Sequence, residues 1–425
     1  MFYQKVKTIG TNTVIMIFIM LILGNGMEIS GESNRGLRGY WRLNGHTFDS
    51  SGGEAHGTPI GNLTYAPVML GQGVNLLSPG DFVSIANDNG ELTVRDAMTI
   101  EAWILGRDIE SGNHKIVDNP GSYTLRITNG NIAFDCVDKW EPGGAALKKD
   151  LWYHVAVSYD GAHKRLFING ELINVKSVTG PIPKGTGNAV TIGSPSDPFI
   201  GTVDEVKIYD CALDPVEIFS SYLEGKALAG YWAFEEDTND ESGWGHDGIL
   251  YGGGKYTAGK RGKALTLSNS GYVKIPGDDQ QLNLSRELTL EAWICGSDFK
   301  GNYHHVFDNF GSYTVSVYNG NLAFFDNGWF TPGDERSQLK TGQWYHVACT
   351  FDGKKKKIYL DGKLKASIEV KGESGDSEYG MITIGSDRYP FSGTIDEVKI
   401  YRLALPEHVI LLHYNQHNQL HNEGK

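Results

Sequence analysis

Two short segments of this 425-residue chain carry the side chains best suited to holding a ligand. One contains Asp118, Asn119 and Tyr123 and is followed by Trp140; the other contains Asp308, Asn309 and Tyr313 and is followed by Trp329. A tryptophan in a polar, Gly/Pro-rich stretch can stack on the apolar face of a pyranose ring while Asp and Asn hold its hydroxyls, so the pattern points to carbohydrate binding. The same tryptophans can instead pack beneath their own loops, and both readings stay open at this level. His114 and His304, which begin the two segments, read as solvated loop histidines.

Catalytic patterns are missing from the sequence. There is no Ser-centred nucleophile elbow, no His-Glu-x-x-His and no phosphate loop. The acidic pairs Asp204-Glu205 and Asp396-Glu397 are adjacent within strand-like runs, which sends their side chains to opposite faces. A non-catalytic binding or structural role is expected.

Both segments belong to a larger unit that occurs twice. FIGTVDEVKIYDCAL, Phe199 to Leu213, returns as FSGTIDEVKIYRLAL, Phe391 to Leu405, at an offset of 192 residues. A repeat of that length is a duplicated domain. Val203, Val206 and Ile208 alternate with charged residues there, which predicts a half-buried strand. Each copy opens with an aromatic run, Gly39-Tyr40-Trp41 or Gly230-Tyr231-Trp232, and continues with a turn, Asp49-Ser50-Ser51-Gly52 or Asp240-Glu241-Ser242-Gly243. Thr99 to Ile104 and Thr289 to Ile294 share the pattern Thr-x-Glu-Ala-Trp-Ile, and Trp152 to Ala156 and Trp344 to Ala348 share Trp-Tyr-His-Val-Ala. Asp160-Gly161, Asn169-Gly170, Asp352-Gly353 and Asp361-Gly362 are hairpin signals. The Lys354 to Lys357 run after one of them reads as a solvated hairpin edge.

Composition agrees with a turn-rich all-β chain. The 55 glycines fall mostly at the ends of apolar runs, and 40% hydrophobic residues suffice for two cores. A formal charge of −13 argues against nucleic acid, so a neutral sugar, a cation or an extracellular protein is the easier partner. Residues 1–26 resemble a signal peptide, with Lys5 and Lys7 ahead of the apolar run Val14 to Leu23 and small residues at Gly24-Asn25-Gly26. The run is short for a membrane span, and a secreted or cell-surface protein starting near Met27 is expected, an uncleaved anchor being the alternative. Of the four cysteines, Cys295, Cys349 and Cys211 fall opposite Leu105, Val157 and Leu403 of the other copy, as small buried hydrophobes would. If export oxidises any of them, Cys295 with Cys349 is the first pairing to consider.

Taken in order, these signatures resemble the laminin-G-like jelly-roll domain of the concanavalin A-like lectin and glucanase superfamily, over residues 37–222 and 229–414 with a polar tail at 415–425. The resemblance implies two tandem antiparallel β-sandwich domains, adjacent first and last strands, and a short closing helix near Asp214 and near Pro406. The link Glu224 to Ala227 is short enough to keep the domains in contact. The resemblance also implies a structural calcium ion in each domain, held by Asp49 with Asp204 and by Asp240 with Asp396, unless these carboxylates only cap turns. Glucanases of the superfamily carry a Glu-x-Asp-x-x-Glu strand that this sequence lacks. The resulting expectation is an exported, non-catalytic, lectin-like protein, with an adhesive protein-binding module as the alternative. N-terminal sequencing of exported material should begin near Met27; an intact Met1 would overturn the cleavage.

Overall fold

The computed structural model describes residues 36–418 except 69–70, 88–89, 144–145, 188, 277–281, 283, 285, 310–311, 327, 333–336 and 371–380. The expected leader, residues 1–26, and the last part of the expected tail, 419–425, lie outside the described residues. The first copy runs β1 (Leu37–Trp41), β2 (Gly57–Ile60), β3 (Thr64–Pro67), β4 (Gln72–Leu76), β5 (Phe82–Ala86), β6 (Met98–Gly106), β7 (Asn113–Asn119), β8 (Tyr123–Thr128), β9 (Asn131–Asp135), β10 (Trp152–Tyr159), β11 (His163–Ile168), β12 (Glu171–Ser177), β13 (Ala189–Ile192), β14 (Gly201–Tyr209) and α1 (Pro215–Ala227). The second copy follows as β15 (Leu228–Trp232), β16 (Ile249–Ala258), β17 (Lys263–Pro276), β18 (Leu288–Gly296), β19 (Tyr303–Asn309), β20 (Tyr313–Tyr318), β21 (Asn321–Asp326), β22 (Trp329–Phe330), β23 (Tyr345–Phe351), β24 (Lys355–Leu360), β25 (Lys363–Glu369), β26 (Met381–Gly385), β27 (Gly393–Tyr401) and α2 (Glu407–Asn418).

Among the described residues, the first copy packs an antiparallel sheet ordered β12-β11-β10-β6-β14-β4-β3, with β1 also on β14, against a second ordered β2-β5-β13-β7-β8-β9. Trp41, Ile100, Ile104, Val117, Leu125 and Val203 meet in the core between them. The second copy repeats the arrangement around Trp232, Leu290, Ile294, Val315 and Ile395. Its two sheets are joined, because β17 pairs with β27 through Leu265 to Leu267 and with β26 through Tyr272 to Pro276. In the first copy that path is broken between β4 and β5 at Ser78-Pro79-Gly80. Pro79 has no N–H for a ladder, and Asp81 turns the chain by accepting from the Leu77 and Ser78 N–H groups at 3.0 and 2.9 Å.

The repeated Gly-Tyr-Trp has a packing cause. The Trp41 ring folds back over Gly39, where an added Cβ would lie 2.3 Å from ring atoms, and its indole N–H donates to the Ala55 carbonyl at 3.0 Å. Trp232 does the same over Gly230, donating to the His246 carbonyl at 3.0 Å.

The expected half-buried strand Gly201–Tyr209 is buried along almost its whole length. The reason is α1 and the segment leading into it, which cover the outer face of its sheet: Leu213, just before the helix, and Ile218 within it pack on Ala156, Phe167 and Tyr209. The other side of α1 reaches the second copy, where Leu223 and Ala227 join Ala348, Tyr359, Tyr401, Val409 and Ile410. Residues Glu224 to Ala227, expected as a linker, are therefore the last turn of this helix, and β15 starts directly after it. Residues 415–418 of the expected tail likewise belong to α2. Gly225 allows the close approach, since a Cβ there would sit 2.1 Å from the Trp103 indole nitrogen.

All four cysteines are free. Cys349 pairs with Leu290, five residues along the strand from Cys295, a separation of about 16 Å along a strand. That is far beyond a disulfide's reach, so the register rules out this pairing.

At the N-terminus of α1, Asp214 accepts from the Val216 and Glu217 N–H groups while the Glu217 side chain accepts from the Asp214 N–H, a reciprocal capping box. Asp214→Ala should lower stability by about 1 kcal/mol in urea unfolding. An unchanged midpoint would show that packing alone holds the helix.

Candidate functional site

The second copy presents a row of aromatic rings on the outer face of β19 to β22. Tyr303 is paired directly across the ladder with Tyr318, and Phe325 with Trp329. Tyr303 is stacked on both sides, with its ring centre 4.5 Å from Tyr318 and 4.3 Å from Trp329. Phe325 meets Trp329 edge-on at 5.3 Å, and Tyr389 approaches His305 at 4.6 Å and Tyr303 at 6.2 Å. Trp329 is 42% exposed, and Tyr318 and Tyr389 are each 38% exposed. These are large apolar surfaces left to solvent together. The hairpin carrying Trp329 is held by Lys356, whose Nζ donates to the Gly328 carbonyl at 2.7 Å. Lys356 is thus buried, contrary to the solvated edge expected for the lysine run, and burial lowers its pKa.

The same positions of the first copy hold charge instead. His305 corresponds to Lys115, Ser316 to Arg126, Phe325 to Asp135 and Tyr389 to Asp197, at offsets of 190 or 192. Lys115 Nζ lies 2.9 Å from Asp118 and 3.4 Å from Asp197, and the Arg126 guanidinium contacts Asp135 at 3.0 Å and Glu141 at 2.5 Å. This cluster closes on itself. Tyr303 and Tyr318 have Asn113 and Thr128 as counterparts, so no ring row forms.

Of the expected sugar-binding residues, only Trp329 and Asp308 belong to the ring-row surface. Trp140 is 8% exposed and lies in the first core, so it packs and presents no face to a ligand. Its segment is drawn inward by Lys164, a fully buried lysine 2.7 Å from Asp138. Tyr123 and Tyr313 are buried, their hydroxyls donating to the Leu92 and Leu282 carbonyls. Asn119 and Asn309 are buried beside them. Asp118 accepts from Lys115 and from Thr124 Oγ1 at 2.8 Å, inside the closed cluster. Asp308 accepts from Thr314 Oγ1 at 2.7 Å and faces His305 Nδ1 at 3.1 Å. His114 is buried between the Pro198 and Ser111 carbonyls, and half-buried His304 contacts the Pro390 carbonyl at 3.1 Å. Neither is a solvated loop histidine. Tyr303, Tyr318 and Tyr389 were not singled out in the sequence, although an aromatic-for-polar difference between aligned copies marks each of them.

Of the four implied calcium ligands, Asp49 and Asp240 are already taken up by protein donors. Asp49 accepts from the Tyr40, Ser51 and Ala55 N–H groups and from Ser51 Oγ at 2.9 to 3.0 Å, so both oxygens face donors. Asp240 likewise accepts from the Tyr231, Ser242 and His246 N–H groups. These carboxylates are turn caps. Among the described residues no group of three or more His, Cys, Asp or Glu side chains is placed to hold a metal ion. Asp204 and Asp396 are buried, and burial together with the adjacent glutamate raises the pKa of both, Asp396 to about 8. Asp396 Oδ2 accepts from the Lys260 and Arg261 N–H groups at 2.8 and 3.0 Å, and Oδ1 has no partner.

A second concavity, of about 200 Å³, lies where the copies meet and is lined by Tyr40, Arg42, Glu205, Lys207, Tyr231 and Lys399 among others. Several of its groups pair with one another, while Arg42 Nε and His154 Nδ1 are buried without a hydrogen-bond partner. Tyr40 donates to Glu205, Tyr231 donates to Glu397 at 2.9 Å, and Arg42 reaches Glu241 at 2.9 Å. Burial pushes the Glu224 carboxyl up, but Lys399 at 3.8 Å and Lys207 outweigh it and hold Glu224 below the usual range. Beside it, His413 bridges the copies through Glu291 at 2.8 Å and Ser220 at 3.1 Å. The chamber is a polar joint. The bulge that brings Glu205 and Glu397 to it puts each at φ 51°, a conformation uncommon outside glycine.

A sequence profile described as the concanavalin A-like lectin/glucanases superfamily, of the laminin-G type, matches residues 78–219 and 267–410. The chain belongs to this superfamily. No curated protein matches it. Among solved structures, domain 4 of a GH43 extracellular arabinanase from Geobacillus stearothermophilus, in complex with arabinotriose, is 23% identical, covering 44% of this chain and 97% of that one at a TM-score of 0.38. The binding domain of Paraclostridial Mosquitocidal Protein 1 is 18% identical, covering 45% and 52% at 0.40. The binding domain of botulinum neurotoxin DC, in complex with rat synaptotagmin II, is 12% identical, covering 88% and 96% at 0.39. The superfamily assignment rests on the profile match.

The raised pKa of Asp396 sets a pH dependence. From the ordinary 3.8 up to about 8 the folded chain keeps a proton that the unfolded chain has lost, so this group makes stability fall as pH rises through that window. The slope should approach about 1.4 kcal/mol per pH unit, and Asp396→Asn should remove it. Urea midpoints with parallel pH profiles in both proteins, or a melting temperature lowered by chelator, would contradict this description.

Proposed function

We propose that this protein is an exported, non-catalytic, lectin-like carbohydrate-binding protein whose site is the ring row of the second copy. The observation that carries the reading is the exposed stack Trp329–Tyr303–Tyr318, built on paired strands with Tyr389 beside it. Amphipathic rings held rigidly by a sheet suit the apolar faces of sugar rings, and Asp308 and His305 supply polar groups at their base. The surrounding chain is acidic, which disfavours polyanions. Among the described residues no helix is long and apolar enough to cross a membrane. The first copy, with its closed ionic cluster, supports the fold and adds no equivalent site.

A glycan array probed with residues 27–425 should show binding to one sugar class, and titration calorimetry should give one site per chain. Trp329→Ala should cost about 2 kcal/mol of binding, near thirtyfold, with the fold intact. Trp140→Ala should instead destabilise the first copy by about 3 kcal/mol, as expected for a core tryptophan. Silence on the array from a folded sample, with a protein ligand captured through Trp329, would favour an adhesive module.

A further inference from the structure

Two buried polar atoms under the ring row have no hydrogen-bond partner, His305 Nε2 and Ser316 Oγ. The two residues are directly paired across β19 and β20, which sets their Cβ atoms about 5 Å apart on one face. That face is the outer one, because the flanking Val315 and Val317 enter the core. Orphaned polar atoms are uncommon in native interiors, since each forfeits its hydration for nothing in return.

The hydrogen bonds around His305 define what it offers. Its Nδ1 lies 3.1 Å from Asp308 Oδ2, and the other Asp308 oxygen accepts from Thr314 Oγ1. An ionised carboxylate only accepts, so Nδ1 carries a hydrogen and Nε2 is the ring's remaining polar atom, with no protein partner. Ser316 Oγ can donate as well as accept. A ring nitrogen beside a hydroxyl complements a sugar hydroxyl, which both donates and accepts.

Resting on the carbohydrate reading above, we infer that His305 and Ser316 are a hydroxyl-reading pair that makes the site specific for neutral sugars. An anionic sugar would set its charge against the Asp308 carboxylate beside His305. The first copy makes the contrast: at the same two positions Lys115 and Arg126 are engaged with Asp118, Asp135 and Glu141 and leave nothing to read a ligand.

The test uses the full mature chain with neutral gluco-, galacto-, xylo- and arabino-oligosaccharides, oligogalacturonate as the anionic arm, and choline as the cationic arm. Wild type should bind a neutral oligosaccharide, and Ser316→Ala and His305→Phe should each weaken that binding at least tenfold. Ser316→Ala should leave the melting temperature without ligand unchanged or higher, because it deletes an unsatisfied group. A group needed only for the fold would lower it. Loss of binding in Trp329→Ala with full binding in Ser316→Ala and His305→Phe would overturn this inference and leave the carbohydrate reading standing. Oligogalacturonate or choline bound as tightly as the neutral sugars would overturn it too. Absence of sugar binding by folded wild type would remove both.

Discussion

Each long sheet of this protein has an outer face too apolar for water. Ala156, Phe167 and Tyr209 in the first copy, and Ala348, Tyr359 and Tyr401 in the second, have to be covered. The helices after β14 and β27 cover them, and α1 also buries Leu223 and Ala227 against the second copy. At roughly 25 cal/mol per Å² of apolar surface, such shared burial makes a separated pair of domains costly. The polar chamber, the His413 bridge and the absence of a flexible linker all follow from that one helix serving two surfaces. So does the place of the ring row, which stands on the outer face of β19 to β22, away from the helix-covered strands.

The two copies use that surface in opposite ways. In the first, Lys115, Arg126, Asp135 and Glu141 neutralise one another in a half-exposed setting, where ion pairs add little stability but leave no unmatched group. In the second, the same ladder positions carry His305, Ser316, Phe325 and Tyr389, so the surface is apolar with orphaned polar atoms beneath it. The second arrangement is the poorer one for a free protein, since its buried polar atoms lose hydration without gaining a partner. Duplication here left one copy with a closed ionic cluster and the other with an exposed ring row.

Much of the fold was legible in the residues. The 192-residue offset, the period-two runs and the Asp-Gly and Asn-Gly hairpins specify two antiparallel domains. The site was legible only in part. Trp140 and Trp329 look alike in sequence, yet one is core and the other exposed, because Lys164 and Lys356 hold their two segments differently. Asn119, Tyr123, Asn309 and Tyr313 read as ligand groups from composition and are buried supports in the fold.

What the sequence by itself determined was local and periodic. Alternation sets strands, Gly39 and Gly230 set the room for a folded-back tryptophan, and Asp214 with Glu217 starts a helix. What only the tertiary structure decided was which side chains share a surface. Tyr303, Tyr318, Trp329 and Tyr389 are up to 86 residues apart in the chain, and strand pairing together with side-chain packing brings them together. Likewise, whether a carboxylate such as Asp240 binds a cation or caps a turn depends on which N–H groups the folded backbone aims at it. Those are long-range contacts, set by how sheets pack and register; comparing the two copies marks the residues that differ but not which of them meet.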